Sequence, residues 1–381
     1  MKLNPTRFLV PVLAAAAAFS TATVSRAADP LVLISSFATG TNGAIEAFRL
    51  DPKSGRLTHL HRAANVENSY FMTVSADQKF LYAIHAKEFG AKEHEQVAAY
   101  AIARATGRLT LLNRQSTHGS ASCYLHLDAT GKTLLLANYS VGSVASLPVR
   151  KDGSLGEAVS IIPHAGTSVN PERQEGPHAH CIITSPDNRF ACAADLGLDQ
   201  VLVYRLDAAA AKLTPHDKPY GKTPPGAGPR HMVFHPGGKR LYVINELTNS
   251  ITVFDYDPPS AVLVEWQTIS TLPQGFRGTS ACADVKITPN GRVLYGTNRG
   301  HDSIAAYRIG EDGRLTLIDI VPSLGKEAQN LAITPDGKLL LCANLSGNNV
   351  AVFRIDSETG GLTSVGPPVS VTSPSCIRVL F

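Results

Sequence analysis

Four residues in the middle of the chain have the types needed to move a proton and hold a negative charge. His180 is a candidate general base, Glu246 a carboxylate, and Arg230 and Arg299 are cations that stay charged at any working pH. Six more polar residues accompany them as candidate substrate contacts: His178, Asp195, His231, Asp284, Asn298 and His301. They arrive in three consecutive copies of a repeat: His178, His180 and Asp195, then Arg230, His231 and Glu246, then Asp284, Asn298, Arg299 and His301. A base, a carboxylate and two fixed cations on one rim are the parts required to bind an anionic substrate and transfer a proton. The same side chains could instead bond to one another and to loop backbone, stiffening the rim.

Other chemistries lack their signatures. The chain has no Gly-x-Ser-x-Gly elbow, no phosphate-binding glycine loop and no His-Glu-x-x-His motif. His178-Ala179-His180 puts two imidazoles on one face of a strand, a spacing that metal sites also use. With no nearby thiolates and no carboxylate triad, neither a metal nor another cofactor is expected.

The elements that must position these residues emerge from self-similarity. A turn recurs at Ala76-Asp77-Gln78-Lys79, Thr130-Gly131-Lys132, Pro186-Asp187-Asn188-Arg189, Pro236-Gly237-Gly238-Lys239, Pro289-Asn290-Gly291-Arg292 and Pro335-Asp336-Gly337-Lys338. Its basic residues are separated by steps of 53, 57, 50, 53 and 46. Each turn is followed by an apolar strand, as at Phe80 to His85, Phe190 to Asp195 and Leu241 to Glu246. Since first and second strands are antiparallel, the start of one and the end of the other meet at the same end of the unit. Aligned on the turn, Tyr70, Cys123, His180, Arg230 and Gln329 share one position. His85, Asn138, Asp195, Glu246, Asn298 and Asn344 share the strand end. This polar rim is the default binding site.

Half-units at the two ends complete the count. Leu31 to Ser36 reads as a second strand with no first, and Cys376 to Phe381 as a first strand with no second. Together they make one more blade, which closes a ring and protects the sheet edges. The prediction is an all-β, seven-bladed β-propeller of four antiparallel strands per blade, the last blade built from both termini. The alanine run after Asp207 is the only helix candidate and fits a loop better.

Composition sets the surroundings. Residues 1–27, with Lys2, Arg7, an apolar run from Phe8 to Phe19 and Ser25-Arg26-Ala27, read as a secretory signal peptide, which predicts a periplasmic or secreted protein. The apolar run is too short for a membrane span. Removing residues 1–27 takes three basic residues and no acid, so the formal charge falls from +4 to +1 over residues 28–381, read as one domain. With no Lys/Arg cluster, nucleic acid is not an expected partner. The six cysteines lie in or beside strands in positions that suit buried free thiols, with Cys181 and Cys192 the pair nearest to a bridge.

At this point the motifs carry a resemblance. Gly176-Pro177-His178-Ala179-His180, Gly228-Pro229-Arg230-His231, Val243-Ile244-Asn245-Glu246, Asn298-Arg299-Gly300-His301-Asp302-Ser303 and Asn344 resemble the lactonase family of seven-bladed propellers. Val169-Asn170-Pro171-Glu172-Arg173-Gln174 also fits its wording. The family includes bacterial 6-phosphogluconolactonase and fungal carboxy-cis,cis-muconate cyclase. The resemblance covers residues 31 to 381 and implies a catalytic set of His180 (or His178), Arg230, Arg299 and Glu246. It implies a monomer acting on a small lactone or an anionic sugar acid. In a lactonase His180 would take the proton of the attacking water, with a rate rising through a pKa near that of histidine. Arg230 would hold the oxyanion, and Glu246 would orient Arg230 or act as the base itself. Two departures bear on substrate. Glu327-Ala328-Gln329-Asn330 stands where many relatives carry Pro-Arg-Asn, one cation fewer, and an exported enzyme would meet unphosphorylated lactones rather than a cytosolic phosphorylated one. A lactonising cycloisomerase would need the same residues, and a non-catalytic binding propeller would need only the arginines.

Overall fold

The repeated turn folds through its own side chains. In four copies a Ser or Thr hydroxyl donates to the Asp or Asn two residues on, as from Ser75 to Asp77 and from Thr288 to Asn290. In each, the same hydroxyl oxygen accepts the backbone N–H that opens the next strand. Where the turn needs a left-handed residue the sequence supplies Gly291 or Gly337, with φ of 71° and 70°.

The computed structural model describes residues 1–2, 29–91 and 94–381. The signal peptide read at 1–27 lies, from residue 3 onward, outside the described residues. Seven antiparallel sheets form the chain. Their first strands are Met72–Val74, Ser122–Leu127, Ala179–Thr184, Pro229–Phe234, Ala281–Ile287, Ala328–Ile333 and Pro374–Leu380. Each first strand contacts those of its two neighbours, and Pro374–Leu380 contacts Met72–Val74, so the ring closes. The closing blade joins Pro374–Leu380 to Leu31–Ser36 in the order inferred from the unmatched termini. In the blade of Ala328–Ile333 the outer strand is split into Leu362–Ser364 and Val369–Ser370. The alanine run after Asp207 is a turn between two strands.

Stability resides between blades. One apolar cluster joins Val32 and Ile34 to Leu339 and Leu341 across the closing interface, and another joins Tyr242 and Ile244 to Val285 and Leu294. Second strands are buried on both faces, so they read as continuous apolar runs rather than as alternations. All six cysteines are free and buried, and Cys181 pairs in register with Ala194 rather than Cys192.

Three tyrosines at the third position of a second strand tie each blade to the next. Tyr82, Tyr242 and Tyr295 donate their hydroxyls to the carbonyls of Gly153, Gly313 and Gly360 at 3.0, 3.0 and 2.8 Å. Tyr242→Phe leaves the Gly313 carbonyl without this partner, so a loss of about 1 to 3 kcal/mol in urea unfolding is expected with catalytic constants unchanged. An unchanged midpoint would show that the bond contributes nothing.

Candidate active site

Six of the seven first strands enter the ring through a β-bulge, Met72–Val74 being the exception. The register slips at His180, Arg230, Gln329 and Cys123, placing these side chains at equivalent points around the channel. The second strand corrects the sequence alignment. Asn245, not Glu246, pairs with the strand start and matches Asp195, Asn138 and Asn344. Glu246 sits one residue beyond, where its N–H bonds the Gly228 carbonyl as Leu196 bonds His178 and Tyr139 bonds Ala121. Arg299 likewise follows Asn298.

Four of the strand-end polar residues bond within the scaffold. Asn138, Asn245 and Asn298 donate to the serine five residues on, Ser143, Ser250 and Ser303, at 3.1, 2.9 and 3.0 Å. Asn298 also bonds Thr271 through both ends of its amide. Asp195 accepts the His178 and Gly197 N–H groups, and its other oxygen lies 2.6 Å from His164 Nδ1, whose Nε2 meets the Tyr204 hydroxyl. Neither Asp195 nor Asn298 lines the cavity described next. His301 also lies outside it, bonded to Ser303 and packed on the edge of Phe276.

What converges is a cavity of about 250 Å³ whose polar lining includes His180, Arg230, Glu246, Arg299, Arg173 and Tyr139. Tyr70 and Phe89 stack at 5.1 Å along its aromatic wall. Glu246 is its centre. Oε2 accepts from Arg230 Nε at 2.9 Å and lies 2.8 Å from Arg299 Nη2, while Oε1 accepts from Arg173 Nη2 at 2.8 Å. Burial would raise the Glu246 carboxyl, but the charges of Arg299 and Arg230 and the bond from Arg173 hold it at about 2. Glu246 is therefore a fixed anion at neutral pH, with both oxygens engaged by guanidinium groups.

Arg230 is fully buried and firmly oriented. Three of its other N–H groups reach the Ala283 carbonyl, the Tyr70 hydroxyl at 2.9 Å and His231 Nε2 at 3.3 Å. His231 donates Nδ1–H to Asp284 at 2.8 Å; burial and the Arg230 charge outweigh Asp284 and lower its pKa to about 3. Asp284 is held by Lys286, Asn330 and the Leu331 N–H. These bonds, with the Lys286 charge foremost, keep it well below the usual carboxylate range against its burial. His231 and Asp284 thus act behind Arg230 and do not line the cavity.

His180 is the histidine that lines the cavity. It is 5% exposed, and its Nδ1, like Oε1 of Gln329 at the equivalent bulge, has no hydrogen-bond partner among the described residues. Burial first, then the charges of Arg230 and His231, push its pKa well below 6.5, so the ring is neutral. His178 instead stacks on Tyr139 at 4.4 Å and bonds the Tyr139 carbonyl. Burial pushes the Cys123 thiol well above its usual range, which keeps it protonated.

These groups occupy a recognised architecture. Residues 31–379 match the model of the lactonase family, the seven-bladed β-propeller. The chain belongs to the lactonase family. It is 34% identical over 349 residues to the 6-phosphogluconolactonase of Bacillus subtilis, covering 91% of this chain and 97% of that protein. It is 30% identical to the 6-phosphogluconolactonase of Formosa agariphila, over 88% and 95% of the two chains. The solved periplasmic gluconolactonase of Pseudomonas aeruginosa superposes with a TM-score of 0.86 at 31% identity, over 92% of this chain and 99% of that one. Among the described residues of this lactonase, no helix is long and apolar enough to cross a membrane.

Sequence reasoning missed Arg173 and Tyr139, although the Asn170-Pro171 turn marked the loop that delivers Arg173. Three guanidinium groups depend on Glu246, so Glu246→Gln should destabilise the protein by about 3 to 5 kcal/mol in denaturant unfolding. A loss under about 0.5 kcal/mol would show that the arginines are held by other contacts.

Proposed function

We propose that this chain is a lactone hydrolase that opens a sugar lactone, or a related cyclic ester, in the cavity beside His180. The observation that carries the reading is the neutral imidazole of His180, with an unpartnered Nδ1, lining the same small cavity as arginines anchored on one carboxylate. A neutral imidazole can take the proton of an attacking water, and fixed cations stabilise the oxyanion that forms. The names of the relatives support the substrate class, and the neighbouring periplasmic gluconolactonase supports an unphosphorylated lactone met outside the cytoplasm. The reading of residues 1–27 as a signal peptide points the same way.

The excess of cations around the cavity favours the ring-opened carboxylate as well. A muconate cyclase, which closes a lactone by adding a carboxylate across an alkene, would need the same kinds of residue for a different bond change.

His180→Ala should lower kcat for aldonolactones by about 100-fold to 10,000-fold with the fold intact. Because burial depresses the His180 pKa, the neutral form dominates at pH 6.5 and is lost only on further acidification. The acid limb of the wild-type profile should therefore fall clearly below 6.5 instead of near it. Acid release from a panel of aldonolactones, with and without phosphate, measures both; full turnover by His180→Ala would overturn the base assignment.

A further inference from the structure

Arg173 is the cation in this site whose donors are least committed. Four of the five N–H groups of Arg230 are spent on Glu246, Ala283, His231 and Tyr70. Arg299 spends Nε on the Ala281 carbonyl and Nη2 on the Cys282 carbonyl and Glu246. Arg173 uses Nη2 alone, for Glu246 and the Tyr139 hydroxyl at 3.2 Å, leaving Nε and Nη1 without a partner among the described residues. Its side chain is 42% exposed. Together with Glu246 and Arg299 it lines both the inner cavity and a more open one of about 480 Å³.

The loop beneath it is built to hold it still. Asn170 caps the turn, its Oδ1 accepting from the N–H groups of Glu172 and Arg173 at 3.0 and 3.1 Å. Gln174 is fully buried and donates to the Leu196 carbonyl and Asp199 at 2.9 and 2.8 Å, while its Oε1 accepts the Asn170 N–H. Asp199 in turn accepts from Ser168, Gly226 and Gly228. So many internal bonds in an irregular loop fix the backbone on either side of one solvent-facing guanidinium.

We propose that Arg173 is a catalytic residue, the guanidinium that holds the lactone carbonyl oxygen as it becomes an oxyanion, with Arg230 as the buried brace that positions Glu246. The proposal rests on the hydrolase reading above. In the step, the water oxygen bonds to the carbonyl carbon and its proton passes to His180. The carbonyl π pair moves onto oxygen opposite Arg173. Collapse restores the carbonyl and breaks the ring C–O bond, whose oxygen takes the proton back from His180. The product acid releases its proton to solvent, leaving a carboxylate beside the same guanidinium.

The test compares wild type, Arg173→Gln and Arg173→Lys for turnover of glucono-δ-lactone and for calorimetric binding of gluconate. Arg173→Gln should lose about 100-fold to 1,000-fold in kcat, with unfolding little changed because the side chain is partly exposed. Added guanidinium ion should restore part of the lost rate, which a merely bracing role would not allow. Gluconate binding should weaken at least about tenfold, and Arg173→Lys should fall between the other two. Turnover of Arg173→Gln within about threefold of wild type, or a loss in KM alone, overturns the proposal. A wild type inactive on every lactone defeats the hydrolase reading separately. Gluconate binding then decides Arg173, and equal affinity in both proteins, or none in either, overturns it.

Discussion

The site depends on one carboxylate. Glu246 is nearly buried, and three guanidinium groups converge on its two oxygens. Arginines brought this close repel one another, and a buried unpaired cation is costly, so each can occupy its place only while the anion between them is charged. The arginines in turn keep the carboxyl ionised. That mutual dependence couples elements far apart in sequence: the loop of Arg173, the bulge of Arg230 and the strand end of Arg299. It also leaves the cavity with more positive than negative charge, which suits a reaction that builds an oxyanion and ends in a carboxylate.

The propeller supplies the precision this requires. β-Bulges in the first strands turn His180 and Arg230 toward the channel, and the residues just past two second strands, Tyr139 and Glu246, supply others. Behind Arg230 stands a chain of fixed groups, His231, Asp284, Lys286 and Asn330, with no direct access to the cavity. Its function is to leave Arg230 one orientation.

Much of this was legible in the sequence. The turns, the seven blades and the closing strand followed from local chemistry repeated at a regular spacing and from two unmatched ends. The register of Glu246 did not, because the apolar run opens at Leu241 whereas the strand already includes Arg240. Asn138 and Asn298 looked like a binding rim, but their amides are engaged by serines in the next turn and by Thr117, Ser122 and Thr271. Arg173 escaped notice because it sits on a loop without periodicity and meets a residue 73 positions away. Proximity of that kind is a property of the closed ring.

The ionisation of Glu246 tests this account most directly. Carbon-13 NMR of protein labelled at the glutamate carboxyls, with the signal assigned through Glu246→Gln, can follow it as pH falls. The account predicts a carboxyl that stays ionised well below the ordinary glutamate value of 4.5 and titrates only as pH approaches about 2 or the protein unfolds. A Glu246 that takes up its proton at or above 4.5 in the folded protein would contradict it.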